Sequence, residues 1–188
     1  MKKYCLVCVA GMVMQGCAET GQAPAQHDFG VTHMPFQSRQ EPEAAEIKVL
    51  APKWLNDNRI RYRLLYAQPT RVRFYNLDQW VAPPPELLKL HLATANLDPS
   101  YSVVVHLLNF EQQFEEPGSA FVLLQFRAEV FSAGNKKILD SREFVLRSGK
   151  VSSDAEGAVE GFAESAAQAS QQIQAWLRNL AQIDAREK

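Results

Sequence analysis

Residues 101–130 read YSVVVHLLNFEQQFEEPGSAFVLLQFRAEV, and the fold turns on them. The first part is apolar on both faces, at Val103, Val104, Val105, Leu107 and Leu108. That predicts a central strand covered on both sides. From Ser119 the chain alternates, with Ala120, Val122, Leu124, Phe126, Ala128 and Val130 facing one way. A period of two marks a strand with a single core face. SAGNKK (132–137) then reads as a hairpin turn, Gly134 and Asn135 supplying positive φ, and ILDSREFVLR (138–147) returns.

Downstream the period changes. Val159, Phe162, Ala166, Ala169, Ile173, Trp176, Leu180 and Ile183 recur at spacings of three and four. That is one apolar stripe along a helix of about seven turns. Ser153 and Glu156 read as a capping box at its start. Gly157, Gly161, Ala163 and Ala166 are small enough for close approach, and no second stripe is evident. The helix is therefore expected on a sheet rather than in a coiled coil.

Upstream, Ile47–Leu50 is a short strand ending at Pro52, and Asn56, Asp57 and Asn58 turn the chain. RIRYRLLYA (59–67) alternates Ile60, Tyr62 and Leu64 against Arg59, Arg61 and Arg63; RVRFYNL (71–77) follows, predicting a hairpin. In VAPPPELLKLHLATAN (81–96) the prolines end the strand and the last suits the first turn of a helix. Leu88, Leu92 and Ala95 share its apolar face, Leu87 and His91 lie beside it, and Asn96 is a plausible stop. The reading is α+β: a single domain, with a mainly antiparallel sheet and two helices packed on it.

The N-terminus is of another kind. Lys2 and Lys3 precede an uncharged apolar run from Tyr4 to Met14, and Gln15-Gly16-Cys17 closes it. The run is too short to span a bilayer, which takes about 20 apolar residues. It has the layout of an export signal. Its ending resembles the bacterial lipobox, in which cleavage falls before a cysteine that receives lipid. Gly16 matches, Met14 stands in for leucine, and Gln15 departs from the small or β-branched residue usual there. On this reading residues 1–16 are a lipoprotein signal peptide and Cys17 is the lipidated first residue. Residues 17–44 are a Pro- and Gly-containing tether, with a short element near HDFG (27–30) that could pair with the domain edge. Residues 45–183 are the domain and 184–188 a tail. Cys5, Cys8 and Cys17 are the only cysteines, so the mature chain would hold no disulfide. Ala18, where an aspartate would signal inner-membrane retention, favours the outer membrane.

The formal net charge of −1 carries no basic excess, so nucleic acid is not an expected partner. The chain has no G-x-S-x-G elbow, no Gly-rich phosphate loop and no metal-ligand spacing of histidines. His106 beside Asp98 and a serine is the one candidate base, set against a hydrogen-bonded strand histidine. Arg59, Arg61, Arg63, Arg71 and Arg73 form a series that reads either as a solvated strand face or as an interaction surface.

Several stretches together resemble the ABC-type transport auxiliary lipoproteins, the outer-membrane lipoprotein components of MCE-type lipid transport systems, including the paraquat-inducible system. They are LAPKWLNDNRIRYRL (50–64), VRFYNLDQWVAPPPELL (72–88), VVVHLLNFEQQF (103–114), SAFVLLQFRAEV (119–130) and DAEGAVEGFAESAAQ (154–168). The resemblance spans about residues 45–180. It implies a fold similar to the N-terminal domain of the Tol-system propeller protein, no enzymatic activity and no cofactor. It further implies an anchor at Cys17 on the periplasmic face of the outer membrane, docking to a periplasmic MCE-domain protein, and homo-oligomeric rings. The candidate docking residues are Arg61 and Arg63 with Trp80, Pro83 and Pro84. A lipid-binding shuttle lipoprotein with its own cavity, and a periplasmic hydrolase using His106, are the alternatives.

Overall fold

The computed structural model describes residues 22–30, 45–95, 97–132 and 137–186. The signal segment, Cys17, the stretch 31–44, the Asn96 stop and the Gly134–Asn135 turn lie outside them. The strands are β1 (Ala25–His27), β2 (Glu46–Leu50), β3 (Arg59–Leu64), β4 (Val72–Trp80), β5 (Tyr101–Glu116), β6 (Ser119–Ser132) and β7 (Ile138–Arg147). Helix α1 (Pro84–Ala93) precedes β5, and α2 (Ala155–Arg186) follows β7.

The order across the sheet is β1-β4-β3-β5-β6-β7, with β2 also on β5. The long pairings, β5 with β6 and β6 with β7, are antiparallel, as is the β3–β4 hairpin. The short pairings of β1 with β4 and of β2 and β3 with β5 are parallel. The sheet is therefore mixed. β5 carries it: β6 lies along one side, while β2 (Ile47 opposite Val103) and β3 (Tyr62 opposite Gln112) share the other side end to end. Gly118, at φ 76°, makes the β5–β6 turn.

The inward face of β6 is as the alternation predicts, with Ala120, Val122, Leu124, Phe126, Ala128 and Val130 all buried. α2 crosses this face. Phe162, Ala166, Ala169, Ile173 and Trp176 bury their stripe against it, so the helix packs on the sheet. At Gly161 an added Cβ would collide with the Val122 Cγ2 methyl, so the helix backbone rides directly on β6. The stripe ends before its last member, since Ile183 is exposed while α2 continues to Arg186.

Two expectations change. β5 is not covered on both sides: Val103, Val105 and Leu107 are buried, but Val104 and His106 are half-exposed and Leu108 is open. Both helices pack into one core on one face, and among the described residues no helix covers the other face. A bulge between Leu107 and Asn109 then shifts the parity, which brings Phe110 and Phe114 onto the core side with Val105 and Leu107. The α2 cap also differs. Asp154, not Ser153, accepts from the Gly157 N–H at 2.8 Å and is held by the Ser152 hydroxyl at 2.7 Å. Asp satisfies the same orphan donor as Ser and adds charge at the positive helix end. Those bonds hold its carboxyl below the usual range.

Candidate functional site

The arginine strand is built inward. β3 lies between β4 and β5 rather than at an edge, so its side chains have neighbours on both flanks. Arg61 is buried; its Nη2 donates to Asp57 Oδ2 at 2.7 Å, beneath Phe74 and Trp54. Arg59 donates to the same carboxylate at 2.8 Å and stacks over Phe74 at 3.8 Å. Burial raises the Asp57 carboxyl, but the Arg59 and Arg61 hydrogen bonds outweigh it and leave the group at about 2. Arg63 grips Glu111 through Nε at 2.9 Å and Nη2 at 3.0 Å, and its Nη1 donates to the Pro69 carbonyl. The Glu111 bonds raise the guanidinium's affinity for its proton.

The face expected to be solvated is thus an Arg–carboxylate–aromatic layer that closes the sheet on the side away from the helices. Each of the two innermost arginines has a carboxylate because an unpaired buried charge is costly. Arg71 and Arg73 differ: their side-chain bonds go to Gln68 at the hairpin end.

Trp80 points the other way, into the core, with no exposed surface. Its ring meets Phe29, Phe110 and Phe162 edge-on at 5.7–5.8 Å. Pro83 is the N-cap of α1, and Pro84 and Pro85 are buried in its first turn. The five candidate docking residues therefore do not form one surface: Arg61 and Arg63 lie on the outer face, and Trp80 and Pro84 in the core. The Trp–Pro segment is conformational, turning β4 into α1.

The short element at HDFG is present, and it shortens the tether. β1 pairs in parallel with β4, placing His27 opposite Trp80. His27 Nε2 meets Asp78 Oδ1 at 2.8 Å, and the Val81 N–H donates to the His27 carbonyl. Phe29 plugs the gap between Trp80, His91 and Phe110. Residues 25–30 consequently belong to the domain rather than to a free linker. Burial lowers the proton affinity of His91.

His106 is on the uncovered face, its Nε2 3.5 Å from Glu129 Oε2, while Arg127 approaches the same carboxylate at 3.7 Å. Asp98 instead accepts from the Ser100 N–H in the loop before β5. The structure does not bring Asp98 and His106 together. Among the described residues no cluster of His, Cys, Asp and Glu could hold a metal ion.

The sequence reading missed a polar chain. The Tyr75 hydroxyl donates to Gln112 Oε1 at 2.5 Å, and Gln112 Nε2 donates to the Ser152 carbonyl at 3.0 Å. This ties β4 and β5 to the start of α2, and burial pushes the Tyr75 hydroxyl up. The available signals were Glu111 and Gln112, polar residues within the most apolar strand of the chain.

No protein-family model matches the sequence, and no curated protein matches it. Solved structures do share the fold. A Xanthomonas campestris protein assigned to the DUF330 family aligns over 87% of this chain and 99% of its own, with TM-score 0.65 at 16% identity. An uncharacterised protein aligns over 82% of this chain and 99% of its own, with TM-score 0.61 at 15% identity. A weaker likeness, TM-score 0.44 at 13% identity, is to a Caulobacter crescentus protein described as a candidate lipoprotein; it covers 76% of this chain and 92% of that one. What the first two share with this chain is its overall fold, the α+β domain described above. No helix among the described residues is long and apolar enough to cross a membrane.

Proposed function

We propose that the chain is a lipid-anchored adaptor, tethered through Cys17 to the periplasmic face of the outer membrane, where it receives a periplasmic MCE-domain protein for lipid transfer between membranes. The observation that carries this reading is the distance between the anchor and the fold. On this reading the lipobox-like ending would put the lipid on Cys17, and β1 is already paired into the sheet at Ala25. Extended chain spans roughly 3.3–3.6 Å per residue, so the link reaches at most about 30 Å. A domain held that close to a bilayer is suited to receiving a partner at the membrane surface. It is poorly suited to carrying cargo across the periplasm.

Two acyl chains or more would make the attachment firm, because each buried CH₂ contributes about 0.8 kcal/mol. The resemblance of residues 45–180 to the transport auxiliary lipoproteins supplies the partner class. Docking then falls to exposed groups rather than to Arg61, Arg63 and Trp80, which are occupied within the fold.

The test has two arms. Labelled palmitate should enter the wild type and not Cys17→Ala, and the wild type should fractionate with the outer membrane. The anchored protein should co-purify with the MCE-domain protein of the same host. A soluble, unlabelled wild type would remove the anchor, and an anchored protein with no such partner would remove the adaptor role. Lipid transport lost in a stably folded His106→Ala would revive the hydrolase alternative.

A further inference from the structure

β7 ends the sheet: its one strand neighbour among the described residues is β6. The Ser148 N–H donates inward to the Val122 carbonyl. Backbone groups alternate sides along an antiparallel strand. The N–H and C=O of residues 143, 145 and 147 therefore point outward from the sheet. The side chains of the same three residues stand on the face that carries no helix, and Glu143, Val145 and Arg147 are all exposed. Val145, the eighth residue of this ten-residue strand, is 59% exposed, high for an apolar side chain with paired residues on either side.

Open edges of this kind are ordinarily blunted by charge. Here the charges are arranged symmetrically about an apolar residue. Glu143 and Arg147 lie two residues either side of Val145. In an antiparallel pair of two β7 strands centred on Val145, Val145 meets Val145, and Glu143 of each copy stands opposite Arg147 of the other. All three positions would be hydrogen-bonded pairs, since their backbone groups already face outward. Centring on Glu143, Arg147 or Arg142 sets like charges against each other, and centring on Phe144 or Leu146 leaves Glu143 or Arg147 opposite Val145 with no ion pair, so the Val145 register is the one that pairs both charges. Opposite charges directly across a strand pair stabilise it and like charges destabilise it.

We infer that β7 is a self-complementary edge through which two copies of this chain pair about Val145, merging their sheets. The contact is isologous, so by itself it closes at two copies. It does not depend on the lipid anchor or on the transport reading. The intrachain contacts of these residues are compatible with it. Glu143 accepts from Gln125 at 2.6 Å through one oxygen, and the Arg147 guanidinium meets Glu115 and stacks on Phe121, all on the open face.

The experiment is a charge swap on the full chain, purified in detergent and followed by light scattering corrected for bound detergent. The wild type should self-associate in pairs, as a dimer or as a larger even-numbered assembly built from such pairs. Glu143→Arg alone and Arg147→Glu alone should each weaken association by about tenfold or more, since every reversal acts twice across the twofold axis. The double variant Glu143→Arg with Arg147→Glu should restore it, because opposite charges again face each other. A wild type that stays monomeric through the micromolar range overturns the inference, as does a double variant no better than the singles. A second readout covers reversals that fail to fold. With Cys5, Cys8 and Cys17 changed to Ser, Val145→Cys should give a disulfide dimer under mild oxidation. Hydrogen-bonded pairs sit about 5.5 Å apart at Cα, within bridging range. No cross-link, or a monomer whose β7 binds only a foreign strand, also overturns it.

Discussion

Arg63 and Glu111 form a bidentate pair between adjacent strands, with bonds of 2.9 Å and 3.0 Å joining residues 48 positions apart in the chain. Glu111 is almost fully buried, and Arg63 retains about a fifth of its side-chain exposure. The pair lies where β3 joins β5, so its loss should loosen the hairpin from the sheet. Glu111→Ala should cost about 3 kcal/mol, because it strands a largely buried guanidinium. Replacing both with Met and Leu should recover most of that loss. Urea unfolding measures both, and a Glu111→Ala variant within 0.5 kcal/mol of wild type, roughly the scatter of surface changes, would place the pair at the surface.

Asp57 makes stability acid-sensitive. Its carboxyl is at about 2 in the fold against 3.8 ordinarily. The unfolded state therefore binds the proton first. The stabilisation is complete above the ordinary value and is lost as pH falls through about 2. Asp57→Asn should be less stable than wild type at neutral pH, and the gap should close between about pH 4 and pH 2. Denaturation midpoints at several pH values test this; a gap independent of pH would refute it.

Gly161→Ala should be destabilising despite alanine's higher helix propensity. The added methyl would meet Val122 Cγ2, and overpacking of this kind costs about 1–3 kcal/mol. Adding Val122→Ala to Gly161→Ala should relieve the clash. A melting curve in which Gly161→Ala is more stable than wild type would mean that α2 stands off from β6.

Trp176 anchors the far half of α2. Its ring lies 5.7 Å from Phe144, and its Nε1 donates to Asp140 Oδ2 at 2.8 Å. Trp176→Ala removes both, and should cost about 4 kcal/mol and lower the melting temperature by about 10 °C. Trp176→Phe, which loses the hydrogen bond but keeps much of the packing, should fall between. A change of one or two degrees for the alanine variant would place the stripe on the surface.

Phe29→Ala should release β1 without unfolding the domain. β1 has three residues, and the Phe29 ring supplies much of its apolar contact with Trp80, His91 and Phe110. Limited proteolysis should cut residues 22–44 several-fold faster, while the products retain residues from 45 onward. Unchanged cleavage rates would mean that the backbone pairing holds β1 unaided.

The sequence by itself determined the β6 face, the α2 stripe and the β3–β4 hairpin. Each is a local period: two for a strand against one core, and three-to-four for a helix on a sheet. It also marked the N-terminal segment ending at Cys17, whose layout is compositional and needs no fold. Tertiary structure decided the rest. Arg61 and Arg63 alternate with apolar residues as they would on an open strand, and only the insertion of β3 between β4 and β5 supplies Asp57 and Glu111 as neighbours. Val104 and Leu108 are as apolar as Val105 and Leu107, yet they face away from the helices. A strand's period names two faces, and long-range packing decides which of them is covered. The bulge at Leu107–Asn109 makes the same point, since one extra residue moves Phe110 into the core without any change in its neighbours along the chain.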